Sequence, residues 1–135
     1  MELAERVFTI LSDDARQELG GKNSLMGIYI GEIVFASIPA MLPKLAFTIL
    51  LEKTKKIIDE VEVKLFTPPK TEPVTFKLDS PPNQKLGGNA VITVMFSPFR
   101  VEATGEAKIE IRFGDEKKPS IVHPFTIAKA EKNKK

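Results

Sequence analysis

One histidine, no cysteine and a scatter of serines and carboxylates are the chemical tools of this 135-residue chain. Without cysteine, thiol nucleophiles, thiolate zinc sites, iron–sulfur clusters and disulfides are excluded. His123 is the lone imidazole, so two histidines of one chain cannot share a metal and a Ser-His-Asp triad has a single candidate base. It stands between Val122 and Pro124 in an extended run, where an edge-strand imidazole satisfied by a neighbour is a simpler reading than a titrating switch. No Gly-x-Ser-x-Gly occurs, and Gly87-Gly88-Asn89 lacks the strand-to-helix context of a phosphate cradle. Asp13, Asp14, Asp59, Asp79, Asp115 and Glu116 could supply calcium ligands from loops, but none stands in Asp-x-Asp-x-Asp spacing. The sequence therefore assigns no catalytic residue, metal or cofactor, and the expected protein is not an enzyme.

The densest polar cluster is Asp13, Asp14, Arg16 and Glu18, followed by Gly20, Gly21 and Lys22. Arg16 and Lys22 could be partner contacts on a loop held by a rigid sheet. The preferred reading is structural: one aspartate accepts backbone N–H bonds and pairs with Arg16, fixing the connection. A buried or half-buried, bidentate Arg16 would explain an arginine here, since only Arg6, Arg16, Arg100 and Arg112 are arginines among 20 basic residues. Phe96-Ser-Pro-Phe-Arg100 sets two aromatics and an arginine around a proline corner. Phe99 and Arg100 are thereby candidate contact residues, although two such phenylalanines more simply cap one end of a core.

The net charge of +2 is located in the tail, because the last seven residues carry four lysines and one glutamate and leave 1–128 at −1. Nucleic-acid binding would rest on that tail alone, and a solvated terminus is the simpler reading. Met1-Glu-Leu-Ala-Glu-Arg6 places acids where a secretory signal needs a basic start, and no apolar run approaches the roughly 20 residues of a membrane-spanning helix. The expected location is cytoplasmic, with virion association open.

The elements that must position these residues alternate with period two. Leu45, Phe47, Ile49 and Leu51 interleave with Ala46, Thr48, Leu50 and Glu52; Val61, Val63 and Leu65 with Glu60, Glu62 and Lys64; Ile109, Ile111 and Phe113 with Lys108, Glu110 and Arg112. Further β-branched and aromatic runs cover Val7 to Leu11, Leu25 to Phe35, Val74 to Leu78, Ala90 to Phe96 and Ile121 to Ile127. Turn signals separate them, among them Gly20-Gly21, Pro68-Pro69, Gly87-Gly88 and Gly114-Asp115. The pattern predicts about eight strands in one all-β antiparallel sandwich, immunoglobulin-like or C2-like, over residues 5–128, with a flexible lysine-rich tail over 129–135. A single helical turn fits Asp14 to Gln17.

Leu25 to Phe35 is apolar on both strand faces. Either the loop from Pro39 to Pro43 covers the second face or another subunit does, which makes Ile28, Tyr29, Ile30, Ile33, Val34 and Phe35 a candidate interface for self-association.

The run Asp13-Asp-Ala-Arg-Gln-Glu18, the Gly21-Lys22 step after Gly20, the strand Gly27-Ile-Tyr29 and the paired Pro39 and Pro43 resemble a family of small bacterial and bacteriophage proteins classed as a domain of unknown function. The likeness covers residues 7–50 and fades to general β character from Glu52. It implies a compact β protein of bacteria or prophages and carries over no catalytic residue. The family often has cysteine where this chain has Ser12, which implies a structural role for that side chain. The resulting expectation is a non-catalytic protein-binding or structural module, a virion or assembly accessory or a protein docked on a host factor, with an unidentified protein partner and no membrane. The alternatives are a nucleic-acid-associated protein using its basic tail and a small hydrolase-like enzyme.

Overall fold

Strand alternation does build the molecule. A computed structural model describes residues 3–70, 72–82 and 84–131, and among them there are eleven strands and no helix. In chain order they are β1 (Ala4–Gln17), β2 (Asn23–Tyr29), β3 (Glu32–Phe35), β4 (Ala40–Leu42), β5 (Leu45–Thr54), β6 (Val61–Phe66), β7 (Val74–Leu78), β8 (Ala90–Phe96), β9 (Phe99–Val101), β10 (Gly105–Phe113) and β11 (Ile121–Lys129). Lys132 to Lys135, the end of the basic tail, lie outside the described residues.

Two sheets face each other. The first has the order β2-β1-β5-β8 and is antiparallel throughout. The second has the order β3-β11-β10-β6-β7, with β3 parallel to β11 and the other pairs antiparallel. A short β4-β9 pair forms a third element. The alternating residues meet between the sheets: Leu45, Phe47, Ile49 and Leu51 from β5, Ile92, Val94 and Phe96 from β8, Val61, Val63 and Leu65 from β6, Ile109, Ile111 and Phe113 from β10, and Phe125 and Ile127 from β11. Each large apolar side chain withdrawn from water there stabilises the fold by roughly 1.5–3 kcal/mol before entropy is subtracted. The fold is thus an all-β sandwich, and among the described residues no helix is long and apolar enough to cross a membrane.

Two local expectations are corrected. Asp14 to Gln17 is not a helical turn but the end of β1, paired residue by residue with Met26 to Asn23 of β2. Leu25 to Phe35 is not one strand. Gly31, at φ 77°, turns the chain between β2 and β3, which then joins the opposite sheet. A left-handed residue ends extended pairing, and glycine adopts it without a Cβ penalty. Pro124 fits its strand because β3 pairs with β11 only from Thr126 onward, leaving one side of β11 open before that point.

Candidate functional site

Successive residues of a strand point to opposite faces, so Asp13 and Asp14 separate. Asp14 is buried and accepts hydrogen bonds from Arg16 Nε at 2.9 Å and from the Ala15 N–H at 2.9 Å, with Lys44 Nζ at 3.1 Å. The bonds from Arg16 and then Lys44 hold its carboxyl below the ordinary carboxylate value against the opposing effect of burial. Arg16 itself is exposed, with one Nε contact, so the expectation of a buried bidentate arginine is corrected: the aspartate is the inner partner. Ser12 is fully buried and donates to the Asp14 carbonyl at 3.0 Å, a structural role.

Asp13 accepts the hydroxyl of Tyr29 across the β1–β2 pair. Burial, then this bond, pushes the tyrosine up to about 12. Gly27 lies opposite Asp13 at φ +69°, and a Cβ there would stand 2.4 Å from the Asp13 carboxylate oxygen. Glu18 and Lys22 are exposed and close the hairpin through a 2.7 Å backbone bond, with Gly20 and Gly21 both at positive φ between them. The charged cluster therefore builds and locks one hairpin.

The candidate interface residues scatter. Ile33 and Phe35 are core residues and offer no docking surface, a correction that follows from the turn at Gly31; Phe99 is also a core residue, packed at 6.4 Å against Phe125, which agrees with its simpler reading as a core cap and removes it as a contact candidate. Tyr29 is half-buried. Ile28 is exposed on the first sheet, Ile30 stands in the β2–β3 turn, Val34 is on the second sheet, and Arg100 is exposed on β9 opposite Met41.

A surface that the sequence reading missed gathers elsewhere. On β5 the side chains alternate with the core residues Phe47 and Ile49, so Ala46, Thr48 and Leu50 face away from it. The register places Ile28, Ser12, Ala46 and Met95 in one row across the four strands, Ile10, Thr48 and Thr93 in the next, and Phe8, Leu50 and Val91 in the third. Phe8, Met26, Ile28 and Met95 are between 39% and 54% exposed, and Ile10, Leu50 and Val91 are partly so. Ser12, Ala46 and Thr48 of the same rows are buried, yet Ala46 is no part of the core cluster. The Thr48 hydroxyl is buried without a hydrogen-bond partner among the described residues. The signal was present in Val7 to Leu11, Leu45 to Leu51 and Ala90 to Phe96, where apolar residues occupy both strand parities. Only the pairing shows that their second faces coincide.

The remaining chemical candidates are dispersed. His123 faces inward: its Nδ1 lies 2.8 Å from the Thr9 hydroxyl, its ring meets Phe47 edge-on at 5.3 Å, and burial holds its pKa below the ordinary histidine value. Glu116 is engaged by Lys56 at 3.1 Å, Ser120 at 2.6 Å and the Phe113 N–H at 3.1 Å. No cluster of three His, Asp or Glu suited to a metal occurs among the described residues. A cavity of about 400 Å³ opens beside β7 and the β8–β9 turn, lined by Val74, Phe76, Met95 and Phe96 with Lys70, Glu72 and Arg100. It contains no nucleophile and base in contact.

A family model described as a family of unknown function, DUF6941, matches residues 7–127, so the likeness seen over residues 7–50 continues through the last strand. No curated protein matches. Among solved structures, the chain is similar to a β-glucosidase from Listeria innocua in complex with gluconolactone, at 11% identity and a TM-score of 0.40, and to the same enzyme with glucose, at 11% and 0.41. In both, 91% of this chain is covered and only 16% of the glucosidase chain. Likenesses of that size carry no inference about chemistry.

Proposed function

We propose that this chain, which belongs to that family of unknown function, is a non-catalytic protein-docking module of bacterial or bacteriophage origin that works in the cytosol or on a virion. The observation that carries the reading is the apolar outer face of the β2-β1-β5-β8 sheet. The ten positions of its three rows, each about 4.8 Å by 6.8 Å, make a face of roughly 330 Å². The largest apolar patches of monomeric proteins reach about 300–600 Å² and are often functional. The face is rimmed by polar groups, Asp14, Arg16 and Lys44 at one end and Arg6 with Glu52 at the other, an arrangement typical of protein interfaces.

Site-specific photo-crosslinking in the native host tests it. A photoreactive residue in place of Ile10 is expected to capture a defined protein, and one in place of Lys64, on the outer face of the other sheet, is not. Equal capture from both positions, or none from Ile10, removes the reading. Neighbouring virion-assembly genes would favour a structural component, and neighbouring regulators a host-docking role.

A further inference from the structure

The edges of the two sheets are unequally protected. β3 has four residues and begins with Glu32; β7 has five, carries Lys77 and follows Pro73. β2 is interrupted at its centre by Gly27 in a left-handed conformation. β8 is different: Ala90-Val-Ile-Thr-Val-Met-Phe96 is seven residues of uninterrupted strand without charge, proline or glycine. One side of it is bonded to β5, and among the described residues no backbone bond leaves its other side. Natural sheets blunt long apolar edges with lysine, proline or bulges, because unpaired N–H and C=O groups template another strand.

We propose that the free edge of β8 pairs antiparallel with β8 of a second copy of this chain, about a two-fold axis at Thr93. The occupant follows from the strand's self-complementarity. With the axis at Thr93, all seven residues pair: Ala90 faces Phe96, Val91 faces Met95, Ile92 faces Val94, and Thr93 faces Thr93 of the second copy. Small stands opposite large, no charge meets a like charge, and a threonine pair, favourable across strands, sits at the centre. Shifting the axis to Ile92 or Val94 leaves two residues of each strand outside the ladder. Facing residues share parity, so core-facing Ile92 and Val94 continue the inner layer while Val91, Thr93 and Met95 continue the outer one. Pairing would thus join two four-stranded sheets into one of eight strands. The inference stands on the edge and not on the docking reading, whose face it would double. An edge about 24 Å long buries less than the roughly 1,200–2,000 Å² of standard stable interfaces, so the dimer is concentration-dependent.

The natural chain has no cysteine, which makes single-cysteine variants clean reporters. Facing Cα atoms lie about 4.5–5.5 Å apart, within disulfide range, whereas the two copies of Val91 would lie about 13 Å apart along the strands. Mild oxidation of Thr93→Cys is expected to give a disulfide dimer, and of Val91→Cys none, while a mixture of Val91→Cys and Met95→Cys gives the mixed dimer. Sedimentation of the unmodified chain up to about 1 mM should show a monomer–dimer equilibrium, weakened at least about tenfold by Thr93→Lys at its exposed position and unchanged by Ile10→Lys. A chain that stays monomeric at that concentration, or Val91→Cys that cross-links as readily as Thr93→Cys, overturns the pairing. Dimerisation abolished by Ile10→Lys but kept in Thr93→Lys also overturns it, and leaves the docking face intact.

Discussion

The sandwich has two outer faces built from the same period-two alternation, and they carry opposite chemistry. On the β3-β11-β10-β6-β7 sheet, the residues that alternate with the core form ion pairs, both between strands and along one strand. Arg112 meets Glu62 at 2.7 Å, Lys108 meets Glu110 at 2.9 Å, Lys77 meets Glu60 at 3.2 Å, and Lys108 also stands over the Phe66 ring at 4.7 Å. On the β2-β1-β5-β8 sheet, the corresponding positions are Phe8, Ile10, Ile28, Leu50, Val91 and Met95. A solvated outer face is ordinary for an antiparallel sheet. The contrast shows that a continuous apolar outer layer is not a requirement of the fold, because on the other sheet Val34, Phe66 and Val122 stand among charged residues. The inner layer holds the large buried side chains, and the outer layer of the first sheet leaves Phe8, Met26, Ile28 and Met95 exposed.

The largest effect is expected at the rim of the apolar face. Gly27→Ala forces a side chain into a left-handed backbone and against the Asp13 carboxylate that receives the Tyr29 hydroxyl. The combined strain and lost bond should cost about 2 kcal/mol, read as a lower denaturant midpoint with an unchanged slope. An alanine tolerated without loss would mean that β2 is not held as described, and the row from Ile28 to Met95 would lose its first member.

The contrast is sharpened by exchanging chemistry between the faces. Glu62→Ala leaves Arg112, whose Nε is already buried without a partner among the described residues, short of its carboxylate, and should cost about 1.5 kcal/mol, less at high salt. Ile10→Lys adds a charge to the apolar face and should change stability by less than about 0.5 kcal/mol while reducing binding of a hydrophobic dye. A large loss from Ile10→Lys would make the outer apolar layer part of the folding core.

Acid pH probes the two layers in sequence. Burial depresses the pKa of His123 in the folded chain, so the unfolded chain takes up the proton first. Stability contributed by the neutral ring is fully present above about 6.5, the unfolded value, and is lost as pH falls through the lower folded value. Asp14, held low by Arg16 and Lys44, keeps its contribution above about 3.9 and loses it below, as its own folded value is passed. A stability curve flat between pH 7 and 5 would contradict the inward, buried placement of His123.

How much of this was legible follows from what each feature depends on. The strands β6 and β10 were readable because alternation is local and their two faces differ, and β5 because its larger apolar residues alternate with Ala46, Thr48 and Glu52. Leu25 to Phe35 misled because a two-faced apolar run is compatible with one strand or two, and a single Gly31 decides between them through its backbone angle. Asp14 to Gln17 has local features of a helix start, but pairing with β2 overrides them. The outer apolar face was beyond reach because it depends on β1 lying between β2 and β5, and on a register that puts Ile10 opposite Thr48.

A small effect gives the sharpest comparison, because one substitution is expected to change sign between the two sides of the same sheet. Thr48 points to the outer face, where its buried hydroxyl has no partner among the described residues; Thr9, on the neighbouring strand opposite Ile49, points inward to His123 at 2.8 Å. Thr48→Val keeps the β-branched shape and strand preference and removes only an unsatisfied polar atom, so it should stabilise the chain by about 0.5–1 kcal/mol and raise Tm by a few degrees. Thr9→Val removes one partner of a half-buried pair and strands the imidazole nitrogen, so it should destabilise by a similar amount, about 1 kcal/mol. Thermal unfolding of the two variants in one buffer at pH 7.5, with His123 neutral in both states, reads the difference directly. If Thr48→Val proves destabilising, the hydroxyl has a partner in solution, and that face is closed by something other than its own side chains.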